Sequence, residues 1–446
     1  MPYALLQPLT ELASAHPDVY VVGGALRDRK LNIPLIDFDF TVRNCAQSSK
    51  FFAQILKGTL IALDHTPGRE TFRVIGPDQQ VFDFSELQGD SIEEDLARRD
   101  FTFNAMGQTL SDFLREDQGV IDPYGGISDL EKRIVRSLPG SVLEDDPLRV
   151  LRAFRFAASL KFEIDLVTLT RIKKAVPGLL RTAGERIREE CELFWKNNNT
   201  ASFARLMDDA EIWDYIVPER KAQRAILSIA GEKDIVKESL DIYCQLEDFL
   251  NDPSSIFPER FSGIESRITQ KQITLLKASA ILYPLKPVGA DEGLLNKALK
   301  KLKFSNVDAN FIRQALETCL SAQKTGLKFA GWSTDFSAIY EFVDRNENNL
   351  IPFLFLIMSS SGTRGLDISP IVLSAHNLTD FYLHRYLPAK QKPPYITGDD
   401  LIKQFGMKPS PLFKTILRQI EEGRTLGSIK SKEEAKVMLR AFLDSF

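Results

Sequence analysis

Hydrophobic periodicity changes once along this 446-residue chain, and that change limits what it can fold into. Before about residue 135, apolar residues recur in short β-rich runs: VYVVGG (19–24), DFDFTV (37–42), ETFRVIG (70–76) and VFDFSEL (81–87). PDQQ between the last two is turn-like and makes them a hairpin. Helical stretches at 25–31 and 46–57 separate the others, and Ser91-Ile-Glu-Glu94 has capping-box spacing that opens a helix running toward Arg99. From Pro147 onward the spacing becomes 3.6 residues, with Pro147 at a natural first helical position. The pattern predicts an α+β fold: a small mixed-sheet head followed by a long all-helical arm. Breaker-rich loops near 197–200, 252–258, 284–292, 359–369 and 388–397 punctuate the arm, and no fixed-period repeat appears.

Composition narrows the class. With 43% hydrophobic and 26% charged residues, the chain is neither disordered, collagen-like nor a disulfide knot. No apolar run approaches the ~20 residues that span a bilayer, and the N-terminus lacks a basic start before an apolar stretch. The expectation is a soluble, cytoplasmic protein with no membrane partner. Cys45, Cys191, Cys244 and Cys319 are scattered and read as core thiols in a reducing compartment. The formal net charge of −4 argues weakly against a nucleic-acid partner, but residues 386–446 carry eleven Lys/Arg against seven Asp/Glu. That local excess leaves room for an anion-binding surface.

The head carries the chemistry. On a strand, Asp37 and Asp39 point to one face, ~6–7 Å apart along the chain. Paired carboxylates repel unless a cation sits between them, and Mg²⁺ takes one or two carboxylates plus substrate phosphates. A solvent-facing strand edge is the common reading of such a pair taken alone. Upstream, however, Gly23-Gly24-Ala-Leu-Arg27 turns a strand into a helix, presenting backbone N–H groups and a guanidinium to a triphosphate. Strand, Gly-Gly, helix and DxD strand together give the geometry of nucleotidyl transfer. Asp83, on a later strand, is a candidate third carboxylate, or else a hairpin Asp. In Arg98-Arg99-Asp100-Phe-Thr-Phe-Asn104, Arg99 and Asp100 are candidates for the nucleotide and Asn104 for supporting them or the ribose; the alternative is the charged end of a helix.

The stretch Asp145-Asp146-Pro-Leu-Arg149-Val-Leu-Arg152-Ala-Phe-Arg155 is the most informative. Asp146 and Arg149 are spaced i, i+3 at a helix start and share a face, and Arg152 and Arg155 continue the stripe. A carboxylate only accepts hydrogen bonds and a guanidinium only donates them. Cytosine and adenine each offer an amino donor beside ring acceptors, so both fit such a pair. Uracil and guanine place a carbonyl against the carboxylate, and a buried mismatch costs ~1–3 kcal/mol per group. Side chains can therefore select C and A without a nucleic-acid template. A surface salt bridge with an arginine face is the plainer account.

GGALRD, DFDF, RRDFTFNAM, DPYGGISDL (122–130), DDPLRVLRAFRFA and GERIREE (184–190) stand in the order and spacing of the class II tRNA nucleotidyltransferases, a family that includes bacterial poly(A) polymerases. The resemblance implies a polymerase-β-like head at 1–137 and a helical neck with the base-reading helix at 138–200. It implies a helical body at 201–330 and a tRNA-binding helical tail at 331–446. It assigns Gly24 and Arg27 to the triphosphate and Asp37 and Asp39 to Mg²⁺. Arg99, Asp146, Arg149, Arg152 and Arg155 would contact CTP or ATP, and Asp100 the ribose region. Transfer to the tRNA 3′ acceptor end is the implied reaction.

Two departures refine this. CCA-adding members carry an extended flexible loop between the DxD strand and the RRD motif; here only Gln88-Gly89-Asp90 link VFDFSEL to SIEEDLARRD. A truncated loop resembles the CC-adding members, so CC addition is favoured over full CCA addition, A addition or poly(A) synthesis. A non-catalytic RNA-binding protein and a transferase acting on a small molecule or protein are the readings from other classes. Residues 275–287 resemble a His-Asp phosphohydrolase segment in which Tyr283-Pro284 replaces His-Asp, which leaves no metal ligands there. In the tail, Lys403, Lys408, Lys414 and Arg418 are candidates for acceptor-stem phosphates, or simply a solvated face.

Overall fold

A computed structural model of the chain describes residues 3–116, 119–229, 235–285, 293–324, 336–363 and 367–444. The chain divides into two compact units, Met1–Pro218 and Glu219–Phe446. Among the described residues, no helix is long and apolar enough to cross a membrane.

The first unit opens on a six-stranded mixed sheet of β1 (Tyr20–Val22), β2 (Asp37–Val42), β3 (Thr59–Asp64), β4 (Thr71–Ile75), β5 (Val81–Glu86) and β6 (Gly107–Thr109). Its order is β3-β4-β5-β2-β1-β6, with β2 and β5 parallel and every other pair antiparallel. The period-two pattern of β2 decides its orientation: Phe38 and Phe40 are buried while Asp37 and Asp39 face outward. Phe38 stacks on Phe82 at 5.5 Å, Phe40 meets Phe84 at 4.9 Å, and Phe52 from the helix Cys45–Leu56 closes on Phe82 at 5.0 Å. Each such ring buries ~150–250 Å², which pins the register that aims both carboxylates outward.

The β4–β5 hairpin forms at the expected turn, where the Gly76 N–H donates to Gln80 O and Gln79 takes φ 62. β3 and the first helix are among the elements without a sequence signal. β3 is an edge strand whose Leu60, Ile61 and Leu63 all stay exposed, so no buried face imposes alternation. The helix Tyr3–Ala15 contains Pro8, which breaks the usual reading, yet Leu5, Leu9 and Leu12 line up as its buried stripe.

The helix Leu148–Leu160 packs against Gly184–Trp195, and Leu151 and Phe154 on the first and Ile187 and Cys191 on the second are buried. Among the described residues, one exception interrupts the helical arm: Glu163–Ile164 forms a two-residue strand parallel to Ile134–Val135.

In the second unit, the helix Leu350–Gly362 is buried from Leu350 to Ser361 and packs among Ile235–Asn251, Gln270–Leu282 and Asn306–Lys324. Lys277 and Glu247 form an ion pair at 2.6 Å, 1% and 2% exposed, and burial pulls the Lys277 ammonium below its usual range despite Glu247. In the segment resembling a hydrolase, Tyr283 and Pro284 are buried and the Gln323 amide donates to the Tyr283 hydroxyl at 2.7 Å. Lys286 and Pro287, and the 330/331 boundary between body and tail, lie outside the described residues. Toward the C-terminus, Leu401, Ile416, Ile420, Ile429 and Leu439 share a separate small core, and a Thr397–Asp400 capping box starts the helix Gly398–Phe405.

Candidate active site

The cleft is built where β1 ends. The chain leaves Val22, turns at Gly23 with φ 63 and ψ −117, and enters the helix Gly24–Lys30. That backbone conformation suits glycine alone, and a Cβ there would stand 3.1 Å from Arg99 Nη1. The same bare backbone lets a ligand approach closely. Beside it, β2 presents Asp37 and Asp39, and the whole depression encloses about 570 Å³.

Asp39 is the stressed carboxyl. Although it opens to solvent, desolvation by the surrounding cleft walls raises it above the usual carboxylate range, Asp83 and Asp37 push the same way, and Arg99 and Arg27 only partly compensate. Two outward carboxylates with uncompensated repulsion are hard oxygen donors suited to a divalent cation. Asp83 does not join them as a third ligand. It stands opposite Asp39 in the parallel β2–β5 ladder, but its two oxygens accept from Arg73 Nε and Nη2, each at 2.8 Å, and it does not line the cleft.

Above the carboxylates runs a continuous polar chain. Arg27 donates to Asn104 Oδ1 at 2.9 Å, Asn104 donates to Asp100 Oδ1 at 2.9 Å, and Asp100 Oδ2 accepts from Arg152 Nη2 at 2.7 Å. Glu190 then takes Arg152 at 3.5 Å and Arg155 at 2.7 Å. Phe156 lies under three of these cations, 5.2 Å from Arg27, 5.3 Å from Arg152 and 4.1 Å from Arg155. Burial alone would raise Asp100, but Arg152, the Asn104 amide and the Phe101 N–H bring it below the usual range. For Arg155, burial lowers the guanidinium more than Glu190 restores it.

Asp146 and Arg149 both line the cleft, but each is held by other partners and they do not pair with one another. Asp146 precedes the helix in an extended conformation, φ −134 and ψ 93, so the i, i+3 rule for helical neighbours does not hold. Its Oδ2 instead accepts from Arg186 Nη2 at 3.2 Å and its Oδ1 from the Leu148 N–H at 3.3 Å. The Arg149 guanidinium is held by main-chain carbonyls: Nη1 donates to Arg99 O and Val142 O, and Nη2 to Arg98 O. Three of its five N–H donors are thus engaged among the described residues, and two remain for a ligand.

The cleft gathers Gly23, Gly24, Arg27, Asp37, Asp39, Arg99, Asp100, Asn104, Asp146, Arg149, Arg152 and Arg155, leaving Asp83 aside. It adds Arg186 and Phe156, and Glu190 braces it from behind. Arg186 and Glu190 sit inside GERIREE, where the spacing of the motif was the only signal of their use. The residues before Asp37 (Ile33, Pro34 and Ile36) form an apolar rim.

Comparison with known proteins agrees with this geometry. Residues 19–136 match the family model described as the poly A polymerase head domain, and residues 161–223 match the probable RNA and SrmB-binding site of polymerase A. A CC-adding tRNA nucleotidyltransferase of Synechocystis is 26% identical over 95% of this chain and 94% of its own length. An A-adding tRNA nucleotidyltransferase of Deinococcus radiodurans is 25% identical over 96% of each. A CC-adding tRNA nucleotidyltransferase of Shouchella clausii reaches 38% over 45% of this chain and 50% of its own. Among solved structures, a CCA-adding enzyme complexed with ATP aligns at TM-score 0.70 and 23% identity, covering 99% of this chain and 93% of that one. The Thermotoga maritima CCA-adding enzyme complexed with tRNA aligns at TM-score 0.67 and 22% identity, covering 98% and 95%. With a mixed-sheet head, a DxD strand beside a Gly-Gly turn, and both family models along its first half, the chain carries the poly A polymerase head and RNA-binding domains and is similar along its whole length to tRNA nucleotidyltransferases.

Proposed function

We propose that this chain adds cytidines to the 3′ end of tRNA from CTP and stops before the terminal adenosine. The terminal 3′-hydroxyl attacks the α-phosphorus of CTP, a new P–O bond forms, the bond to the bridging oxygen breaks, and pyrophosphate leaves. Gly24 and Arg27 seat the triphosphate, and Arg99 neutralises charge beside it. Asp100, kept ionised by Arg152, is placed for the ribose with Asn104 in support. The two N–H donors left on Arg149 face cytosine O2 and N3, and Asp146 accepts from the N4 amino group. Mg²⁺ held by Asp37 and Asp39 would supply Lewis-acid stabilisation of the attacking and leaving oxygens. The acceptor stem falls to the tail lysines, and the free thiols, with Cys45, Cys191 and Cys319 buried, suit the cytoplasm.

One observation carries the CC subtype. Between β5 and the helix Ile92–Leu96 the chain has no slack: the Leu87 N–H donates to Val42 O, Gln88 N–H to Asp95 Oδ1, and Asp90 N–H to Glu94 Oε2. The Gln88 amide also donates to Gly68 O. A segment so tied has no freedom to shift Asp146 and Arg149 from cytosine to adenine. The test is incubation with tRNAs ending before C74, at C74 and at C75, with CTP and ATP given separately. The first two gain cytidine and the third gains nothing. Adenosine addition to the third overturns the subtype in favour of A or CCA addition; repeated adenosine addition identifies a poly(A) polymerase.

A further inference from the structure

The cleft is charged almost throughout, yet one wall is apolar. Ile33, Pro34 and Ile36 line it immediately before Asp37. Ile36 is 67% exposed and Ile33 41%, so both present apolar surface at the edge of the cleft. Neither the triphosphate seat at Gly24 and Arg27 nor the base readers at Asp146 and Arg149 use this wall. The remaining participant is the RNA end. Its 3′-hydroxyl must reach the Asp37 and Asp39 carboxylates, so its nucleoside lies within one nucleoside's length of them. The chain segment that enters β2 at Asp37 is this apolar wall.

We propose that Ile33, Pro34 and Ile36 form the subsite for the 3′-terminal nucleoside of the RNA primer, a reading that rests on the function proposed above. An apolar wall fits that task for a chemical reason. The terminal base changes between additions, from the discriminator nucleotide to C74. A subsite built from hydrogen-bonding side chains would favour one of these ends, because a wrong edge leaves buried donors or acceptors unpaired. An apolar surface contacts the base face, which every base has, and reads no edge. Selection stays with Asp146 and Arg149, which read the incoming nucleotide, and the primer end is held without being read.

The test is steady-state kinetics on the full chain with Ile36→Ser and Ile36→Trp, each at an exposed position that leaves the core intact. Primers end at A73, G73, U73 and C74. For Ile36→Ser, KM for RNA rises about fivefold or more, by a similar factor for all four primers. Ile36→Trp lowers it, since a wider face stacks better. The Kd for CTP measured without RNA stays within twofold in both. An unchanged RNA KM, a penalty confined to one terminal base, or a shift in CTP Kd instead overturns the subsite. Failure of the wild-type chain to incorporate cytidine would instead overturn the proposed function.

Discussion

Burial should make Asp100 a weak acid, yet Arg152, Asn104 and the Phe101 N–H hold its carboxyl below the usual range. A carboxylate whose folded value lies below its unfolded value of ~3.9 stabilises the fold above that value. The contribution disappears as pH falls through the folded value. Asp100→Asn is therefore expected to lose about 3 kcal/mol at pH 7, since it leaves Arg152 facing a neutral group in a buried site. Urea unfolding at pH 7 and pH 3 checks this; the gap between wild type and variant narrows at the lower pH. Arg186→Ala tests a different effect. Its ion pair with Asp146 is half exposed, so stability changes by less than about 0.5 kcal/mol. The Asp146 carboxylate, though, loses the donor that orients it, and discrimination of CTP against UTP is expected to narrow about tenfold in competition assays. Asp100, Asp146 and Arg149 are legible as candidates because charged residues interrupt apolar patterns there. Arg152 is legible as well, as part of the arginine stripe, but its pairing with Asp100 and the use of Arg186 by Asp146 are not, because no local rule specifies which distant guanidinium meets which carboxylate.

Elements differ in how openly the sequence declares them. In β2, DFDFTV declares both strand and orientation, since one face must bury Phe38 and Phe40 and the other must expose Asp37 and Asp39. Where burial imposes no alternation, as in β3, a strand has no signature. At the reading helix the sequence places Asp146 and Arg149 together but misses that Asp146 lies before the first helical turn, where helical spacing no longer sets side-chain direction. The turn at Gly23 is the element on which the head's chemistry rests. Gly23→Ala forces a Cβ into a left-handed backbone and to within 3.1 Å of Arg99 Nη1. The expected cost is about 1–3 kcal/mol of stability. Relief of the contact moves Arg99, so CTP affinity falls as well. Thermal unfolding and calorimetric CTP titration measure the two effects separately.

For the whole molecule, the division at Pro218/Glu219 separates two demands of the reaction. Every residue lining the cleft lies between Gly23 and Arg186, so the proposed nucleotide selection falls to the first unit. The stretch matching an RNA-binding family model, 161–223, lies almost entirely there too. The basic excess, by contrast, lies in residues 386–446. Its four phosphate candidates are not equivalent. Lys403 pairs with Asp399 at 3.1 Å, and Arg418 approaches Glu341 at 3.6 Å and Asp344 at 3.5 Å, so either must give up a partner to meet a phosphate. Lys408 and Lys414 are exposed. Counterion release makes tRNA affinity fall with salt by a slope proportional to the phosphates contacted. Lys408→Ala and Lys414→Ala are each expected to reduce that slope by about 1, with CTP affinity unchanged. Lys403→Ala reduces it less, because Asp399 already partly neutralises that lysine and the pair offers a phosphate little net charge. Filter binding of tRNA between 50 and 200 mM salt reads the slopes directly. Equal slopes in all variants would move the RNA contact out of the tail and back to residues 161–223.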